Sequence, residues 1–242
     1  LGQQIIGQRD SYPGGGLLPT TSLKPGQIFG ESYSVPIAQD ARGPVAARIA
    51  VGLYQLEQMR NLPVRDSQGQ EVNWPVIGRV RIAAETKPFQ ASRPLDANFG
   101  NHVRLTGYDI ADDSVRPGEL VSFTVYWNVM RPMSREYTVF VHLLDDLGNQ
   151  WGSGDGPPMA DEYPTLFWVE GDWLADQREL LVKADVPAGS YRLAFHTLSR
   201  GSPGFLFVAS STASIRRSGS LTPTMNRRFP MENITPRFPW VL

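Results

Sequence analysis

Few side chains in this sequence are of a type that performs catalytic chemistry, and they are scattered. Histidine occurs three times, as His102, His142 and His196, and cysteine does not occur. His142 and His196 share strand parity with apolar residues, which favours a core or hydrogen-bonded structural role over that of a general base. The lack of cysteine excludes disulfides, thiolate zinc sites and cysteine nucleophiles. No nucleophile elbow, phosphate-binding loop, dinucleotide fingerprint or zinc-protease motif is present, so we expect no catalytic residues and no cofactor.

Acidic side chains gather in three predicted loops, around Asp109, Asp145 and Asp155. Oxygen-rich loops at one end of a β-sandwich can bind calcium, but Asp is also a common turn former. No pair stands out as the two carboxylates that a glycosidase places across a cleft. The pattern favours solvated turns, and no metal ligand is assigned.

Aromatic residues give the more specific indication of a binding function. Trp151, Tyr163 and Trp168 lie in one part of the sequence, close to Asp155. Tryptophan and tyrosine rings on a sandwich face can stack on the apolar face of a sugar ring while an aspartate accepts its hydroxyls. These four residues are therefore the candidate glycan-binding site. The alternative is that the rings belong to the core, where large apolar residues are most often found.

The composition excludes several partners and predicts a fold rich in turns. The chain has 242 residues, a formal net charge of -1 and 41% hydrophobic residues. A charge so close to zero creates no field that would attract nucleic acid. No apolar run reaches the roughly 18 residues that a membrane helix requires, so we expect no membrane span in this chain. The 23 glycines and 20 prolines are spread along the chain and indicate many turns.

The elements that would position these residues are short strands. Residues 120–127 and 137–144 are rich in β-branched and aromatic side chains with period-2 alternation, and residues 190–198 continue this pattern. Trp127 and Phe140 lie in the first two of these segments, and we expect both rings to be buried in the core. Sequences rich in Gly, Pro and Asp separate these segments, and no helical period is sustained. The pattern predicts an all-β chain built from antiparallel β-sandwiches of the immunoglobulin or jelly-roll kind.

Weak internal similarity at a nearly constant spacing indicates an ancient duplication. The matched segments are 10–13 with 161–164, 25–31 with 170–176, 48–51 with 192–195, 62–64 with 206–208 and 79–82 with 212–215. The second copy is preceded by strand patterns in residues 99–150 that have no counterpart before the first copy. The alternative is that two unrelated β-rich stretches share similar turns.

The duplication predicts four parts of the chain. They are the C-terminal half of a first β-sandwich (1–86), a linker (87–98), a complete second β-sandwich (99–216) and an extended tail (217–242). The first sandwich would be incomplete at its N-terminus. Half a sandwich exposes strand edges and half a core, and it is not stable alone. We therefore expect this half to be completed either by polypeptide upstream of Leu1 or by another chain.

The tail combines proline, arginine and apolar side chains. Phe229, Phe238 and Trp240 are costly to expose, and Arg227 and Arg228 add positive charge. A segment so short and so rich in proline buries too little surface to fold alone. We expect an extended arm that docks on a neighbouring subunit, with docking on its own sandwich as the alternative.

Short motifs of the second predicted sandwich carry a family resemblance. They are residues 105–109, 115–119, 125–127, 137–145, 155–158, 163–165 and 186–193, with Trp168, Gly171 and Asp176. In these motifs the chain resembles a β-sandwich module of bacterial, especially filamentous green-bacterial, membrane and surface proteins. Such modules often follow the membrane part of glycosyltransferase-like proteins. The resemblance implies an extracytoplasmic location at the cell envelope and an accessory role.

Together these observations predict a non-catalytic interaction or assembly module that is not an enzyme. Its expected partners are other protein subunits or the preceding part of the same protein. The alternative function is that of a carbohydrate-binding accessory domain of a membrane glycosyltransferase.

Overall fold

The computed structural model of the chain describes residues 4–72, 74–84, 86–110, 114–199, 205–206 and 211–215, with side chains described through His196. Within these residues all regular structure is β-strand, apart from short 3-10 helices at Thr20–Ser22, Pro158–Asp161 and Thr165–Phe167. The predicted all-β fold class is therefore confirmed. None of the described helices is long and apolar enough to cross a membrane.

The described residues before 85, which we call the first unit, form three small antiparallel sheets of two strands each. Their strands are β1 (Val45–Ala50), β2 (Tyr54–Gln55), β3 (Arg60–Asn61), β4 (Val64–Arg65), β5 (Glu71–Val72) and β6 (Val76–Ile82). β1 pairs with β6, β2 with β3, and β4 with β5. Two of these sheets are short hairpins, whereas β1 and β6 are joined across the intervening residues of the unit.

The described residues between 86 and 215, which we call the second unit, form one ten-stranded sheet. Its strands are β7 (Arg93–Phe99), β8 (Val103–Ile110), β9 (Ser114–Val115), β10 (Leu120–Val129), β11 (Tyr137–Leu144), β12 (Gln150–Ser153), β13 (Trp173–Val182), β14 (Gly189–Ser199), β15 (Phe205–Leu206) and β16 (Ser211–Ile215). The order across the sheet is β7-β8-β10-β13-β12-β11-β14-β16-β9, with β15 beside β14. The pairs are antiparallel except for β16 with β9.

Strand β7 corrects the predicted linker. The sequence predicts a linker over residues 87–98, but a strand begins at Arg93 and pairs with β8. Ala97 and Phe99 are buried because alternate side chains of this strand point towards the core. A linker in this region is therefore limited to the residues before Arg93.

The long strands of the second unit place alternate side chains in a common core. In β10, every second residue from Val121 to Val129 is buried, and the intervening side chains are exposed or half-buried. Trp127, with 1% of its surface exposed, contacts Phe99 and Trp168 at ring-centroid distances of 5.6 and 6.5 Å. The core position predicted for Trp127 is confirmed.

Strand β11 places Phe140 on the opposite face from the one that the sequence analysis assigns. Val139, Val141 and Leu143 are buried, whereas Phe140 and His142 are half-buried on the outer face of the sheet. Both faces of this strand carry apolar residues, so alternation alone does not indicate which face meets the core. The core role predicted for Phe140 is wrong.

Candidate functional site

Two of the four candidate glycan-binding residues are buried. Tyr163 and Trp168 belong to the core of the second unit, and the Trp168 Nε1–H donates to the Tyr163 carbonyl at 2.9 Å. The Tyr163 hydroxyl accepts from Arg81 Nε at 2.6 Å and donates to Asp172 at 2.9 Å. Burial, together with the hydrogen bond to Asp172, raises the pKa of Tyr163 to about 12. Neither ring presents a face to a sugar, and the alternative of a core role applies to both.

The other two candidates retain solvent exposure but have partners of their own. Trp151 donates from Nε1 to Asp145 at 2.9 Å, and Lys183 Nζ lies 5.8 Å from the centroid of its ring. The hydrogen bond from Trp151 holds the pKa of Asp145 at about 2. Asp155 accepts from the Val141 backbone N–H at 3.0 Å and lies 3.2 Å from His142 Nε2. Trp151 therefore closes a hairpin, and Asp155 anchors the outer side of β11.

An aromatic patch that the sequence analysis does not assign lies on the outer face of β11 and β14. Phe140 stacks on His196 with ring centroids 4.6 Å apart and an interplanar angle of 10°. The ring of His142 meets His196 edge-on at 4.9 Å and is held by Asp155. Burial lowers the pKa of His196 to about 4, so its imidazole is neutral at pH 7. The parity of these residues in the sequence indicates a shared face, but their cross-strand pairing depends on register.

No group of three or more His, Asp or Glu side chains in the described part of the chain is arranged to hold a metal ion. The aromatic patch offers the partly exposed surface of the Phe140–His196 stack, with the Asp155 carboxylate beside the ring of His142. Such a surface suits a ring-shaped ligand better than a cation.

The first unit exposes most of the large apolar side chains at the surface. Of 24 exposed large hydrophobic residues in the described chain, 19 lie before residue 85. A soluble unit of this size normally buries such side chains or uses them for contacts. This concentration marks the first unit, rather than the predicted aromatic cluster, as the main candidate for an interaction surface.

Strands β1 and β6 carry apolar side chains of the first unit on one face of their sheet, which we call the open apolar face. It consists of Val45, Ala47 and Ile49 on β1 and of Val80 and Ile82 on β6, brought side by side by the strand register. Ile49 and Val80 are 40% and 42% exposed. All five side chains are apolar and two of them are well exposed, so the face is able to pack against another apolar surface.

The opposite face of the same sheet contacts the second unit through polar groups. On this face Arg81 binds Tyr163 and Asp172, and at the edge of β1, in the plane of the sheet, the Ala46 N–H donates to the Glu162 carbonyl at 2.7 Å. Arg79 lies 3.9 Å from Asp161. The sheet of β1 and β6 therefore contacts the second unit with its polar face. Its open apolar face points away from the second unit.

Some predicted site residues lie outside the described residues. They are the candidate partner-binding residues of the tail, Arg227, Arg228, Phe229, Phe238 and Trp240. Their role stays a prediction.

Comparisons with known proteins add little to this picture. No protein-family model matches the chain, and no curated protein is significantly similar to it. Among solved structures, the crystal structure of the C-terminal domain of Wzt is similar to 52% of this chain and 84% of that chain, with a TM-score of 0.41 and 13% sequence identity. A likeness at this level supports no inference about function. The expected resemblance to glycosyltransferase-associated modules is not supported.

Proposed function

We propose that this protein is a non-catalytic, extracytoplasmic β-module that takes part in assembly through its first unit. The observation that carries the proposal is the open apolar face, on which Ile49 and Val80 lie exposed. Burying a Val or Ile side chain that is about 40% exposed contributes about 1 kcal/mol, so Ile49 and Val80 together contribute about 2 kcal/mol to an association. The extracytoplasmic location rests on the sequence motifs of the second unit alone and is part of the proposal.

The proposal is tested by making the open apolar face polar. We expect the parent chain to bind the dye ANS and to self-associate at high concentration, because the exposed apolar face favours both. The double variant Ile49→Ser/Val80→Ser should lower the ANS fluorescence and the self-association seen in sedimentation velocity. A matched control is Leu120→Ser/Leu181→Ser, which changes two facing leucines that are 57% and 56% exposed in the second unit. Equal effects of the two double variants would refute the proposal.

Carbohydrate binding is the second candidate function, and the aromatic patch of Phe140, His142, His196 and Asp155 favours it. A sugar ring would stack on the free side of Phe140 while Asp155 accepts a hydroxyl. A glycan array separates the two candidates. Binding that is lost in Phe140→Ser and kept in Trp151→Phe would support this second function, and an array without reproducible binding would leave assembly alone.

A further inference from the structure

The backbone of the first unit repeats that of the second unit turn by turn. Residues 14–16 and residues 159–161 are both runs of three with positive φ, which is rare outside glycine. Each run is followed at the same spacing by a 3-10 helix, Thr20–Ser22 in the first unit and Thr165–Phe167 in the second. A glycine with positive φ comes next in both, Gly26 and Gly171. All these corresponding positions are 145 residues apart.

A carboxylate beside this turn accepts from a backbone N–H of the turn in both units, with the donor shifted by one residue between them. Glu31 accepts from the Gly15 N–H at 2.9 Å and from the Tyr33 hydroxyl at 2.6 Å. Asp176, which is 145 residues beyond Glu31, accepts from the Met159 N–H and from Arg178 two residues later, both at 2.9 Å. In each unit a carboxylate therefore joins the left-handed turn to the segment that follows it.

Strand pairing around this segment is also repeated. Gly7 forms an antiparallel bridge with Ile37, and Gly152 pairs with Val182 in β12 and β13. Both partners are again 145 residues apart. The segment 28–37 of the first unit is therefore the counterpart of strand β13.

The two-stranded sheet of the first unit has the register of β14 and β16. Arg48 of β1 faces Arg79 of β6, and Arg192 of β14 faces Thr212 of β16. The sequence alignment matches these same residues, Arg48 with Arg192 and Arg79 with Thr212. An agreement of register between two independently placed strand pairs supports a duplication rather than a chance similarity of turns.

The side chains that correspond in the two units differ in burial. Leu174, Leu180 and Val182 of β13 are buried, whereas their counterparts Phe29, Val35 and Ile37 are 44%, 45% and 46% exposed. The first unit thus keeps the inward-facing apolar residues of the fold without the strands that cover them.

The same difference appears on the open apolar face. Leu193 of β14 is buried, whereas its counterpart Ile49 is exposed. In the second unit, β13 is covered along one edge by β10, and β11 lies between β12 and β14. The described part of the first unit has no counterpart of β10 or β11.

We propose that the open apolar face and the segment 28–37 are covered by strands of the same kind as β10 and β11, carried on the polypeptide N-terminal to Leu1. The duplication supplies the source, because β10 and β11 precede β12 in the same chain. A strand equivalent to β10 would pair with segment 28–37, and one equivalent to β11 would lie beside β1. This inference rests on the proposed function and deepens it, because it names the preceding part of the same protein as the partner with which the open apolar face assembles.

Amide hydrogen exchange on two forms of the chain tests the inference. One form is the 242-residue chain, and the other adds the residues encoded immediately upstream of Leu1, in a length matching residues 93–149. We expect exchange at residues 28–37 to slow by roughly 100-fold in the extended form, because this segment lies outside the named strands of the 242-residue chain and would become part of a sheet. Exchange in β10 should be the same in both forms, which confirms that the second unit is folded.

Two substitutions in the extended form separate specific covering from unspecific shielding. Val35→Asp places a charge at the counterpart of buried Leu180 and should restore fast exchange at residues 28–37. Ser34→Asp is the matched control, because Ser34 corresponds to exposed Glu179, and it should leave the protection unchanged.

The outcomes distinguish this inference from the proposed function. If the upstream residues give no protection, or if no coding sequence precedes Leu1, the inference is overturned. The proposed function still stands in that case if Ile49→Ser/Val80→Ser lowers self-association more than its control does. If that double variant behaves like its control, the proposed function fails as well.

Discussion

Arg81 and Asp172 form an ion pair across the junction of the two units, with Nη2 and Oδ1 2.5 Å apart. The Asp172 carboxylate is buried and also accepts from the Tyr163 hydroxyl at 2.9 Å and from the Val169 N–H at 3.1 Å. Arg81 itself is 30% exposed at its side chain. This cluster fixes the polar face of β1 and β6 against the second unit, and it thereby determines that the apolar face of that sheet is the open one.

Replacing Arg81 should weaken the junction. Arg81→Met removes the cation and leaves Asp172 as a buried carboxylate with fewer donors. Breaking a buried pair by removing one partner costs about 3–5 kcal/mol, and we expect about 2–3 kcal/mol here because Arg81 is partly solvated. Urea unfolding followed by circular dichroism measures the loss of unfolding free energy.

The neighbouring Arg79 provides the control for this prediction. Its pair with Asp161 is 3.9 Å long and partly exposed, so Arg79→Met should cost less than about 1 kcal/mol. The double variant Arg81→Met/Asp172→Asn should recover part of the stability, since no buried charge remains unpaired. A loss in Arg79→Met equal to that in Arg81→Met would contradict the role given to the buried pair.

Trp127 and Phe140 should differ in what their truncation costs. Trp127 is enclosed by Phe99 and Trp168, so Trp127→Ala should lower the free energy of unfolding by about 3–5 kcal/mol. Phe140 is half-buried on the outer face, so Phe140→Ala should cost clearly less, about 1–2 kcal/mol. Chemical denaturation of the two variants checks the order, and a larger loss for Phe140→Ala would place the core on the other face of β11.

The strands could be predicted from the sequence better than the faces they present. Residues 137–144 are the bounds of β11, because β-branched and aromatic residues fill this segment and turn residues end it. The alternation predicts the wrong face for Phe140, because its strand is apolar on both sides. Tyr163 and Trp168 are buried because loop residues 163–168 fold over the core through the Trp168–Tyr163 hydrogen bond, which no periodicity indicates.

The internal repeat could also be predicted only in part from the sequence. The alignment of residues 48–51 with 192–195 agrees with the strand register, whereas the match of residues 10–13 with 161–164 is wrong. The structure places the Pro13 turn opposite Pro158, six residues earlier, because the three left-handed residues follow each of these prolines. Those residues are glycines in one unit and Met159, Ala160 and Asp161 in the other, so residue identity conceals a backbone that is the same.

Lowering the pH from about 6.5 to about 4 should destabilise the protein, because His196 takes up a proton in this range only in the unfolded chain. Burial lowers the pKa of His196 to about 4, against about 6.5 in the unfolded chain, and the neighbouring His142 adds to this effect while Asp155 opposes it. Between pH 6.5 and pH 4 the unfolded chain binds a proton at this site and the folded chain does not. The free energy of unfolding should therefore fall as the pH is lowered through this range and be insensitive to His196 above it.

The variant His196→Gln isolates this contribution. Because His196 retains solvent contact, we expect the parent to lose about 1 kcal/mol more than the variant between pH 7 and pH 4.5. Urea midpoints measured at several pH values give the comparison. Parallel curves for parent and variant would show that the imidazole is not held neutral by the fold.

Replacing Ala160 by glycine, the residue at the corresponding position of the first unit, should stabilise the left-handed turn of the second unit. Ala160 has a φ of 50°, is exposed, and corresponds to Gly15, which has a φ of 66°. A residue with a Cβ is strained by about 1–2 kcal/mol in this region, whereas glycine adopts it freely but loses more chain entropy on folding. Ala160→Gly should therefore raise the free energy of unfolding by about 0.5–1 kcal/mol.

Ala175→Gly in the middle of β13 is the control, since it adds only the entropy cost and should lower stability by a similar amount. If both glycine variants are destabilised equally in urea, the turn at Ala160 is not left-handed in solution.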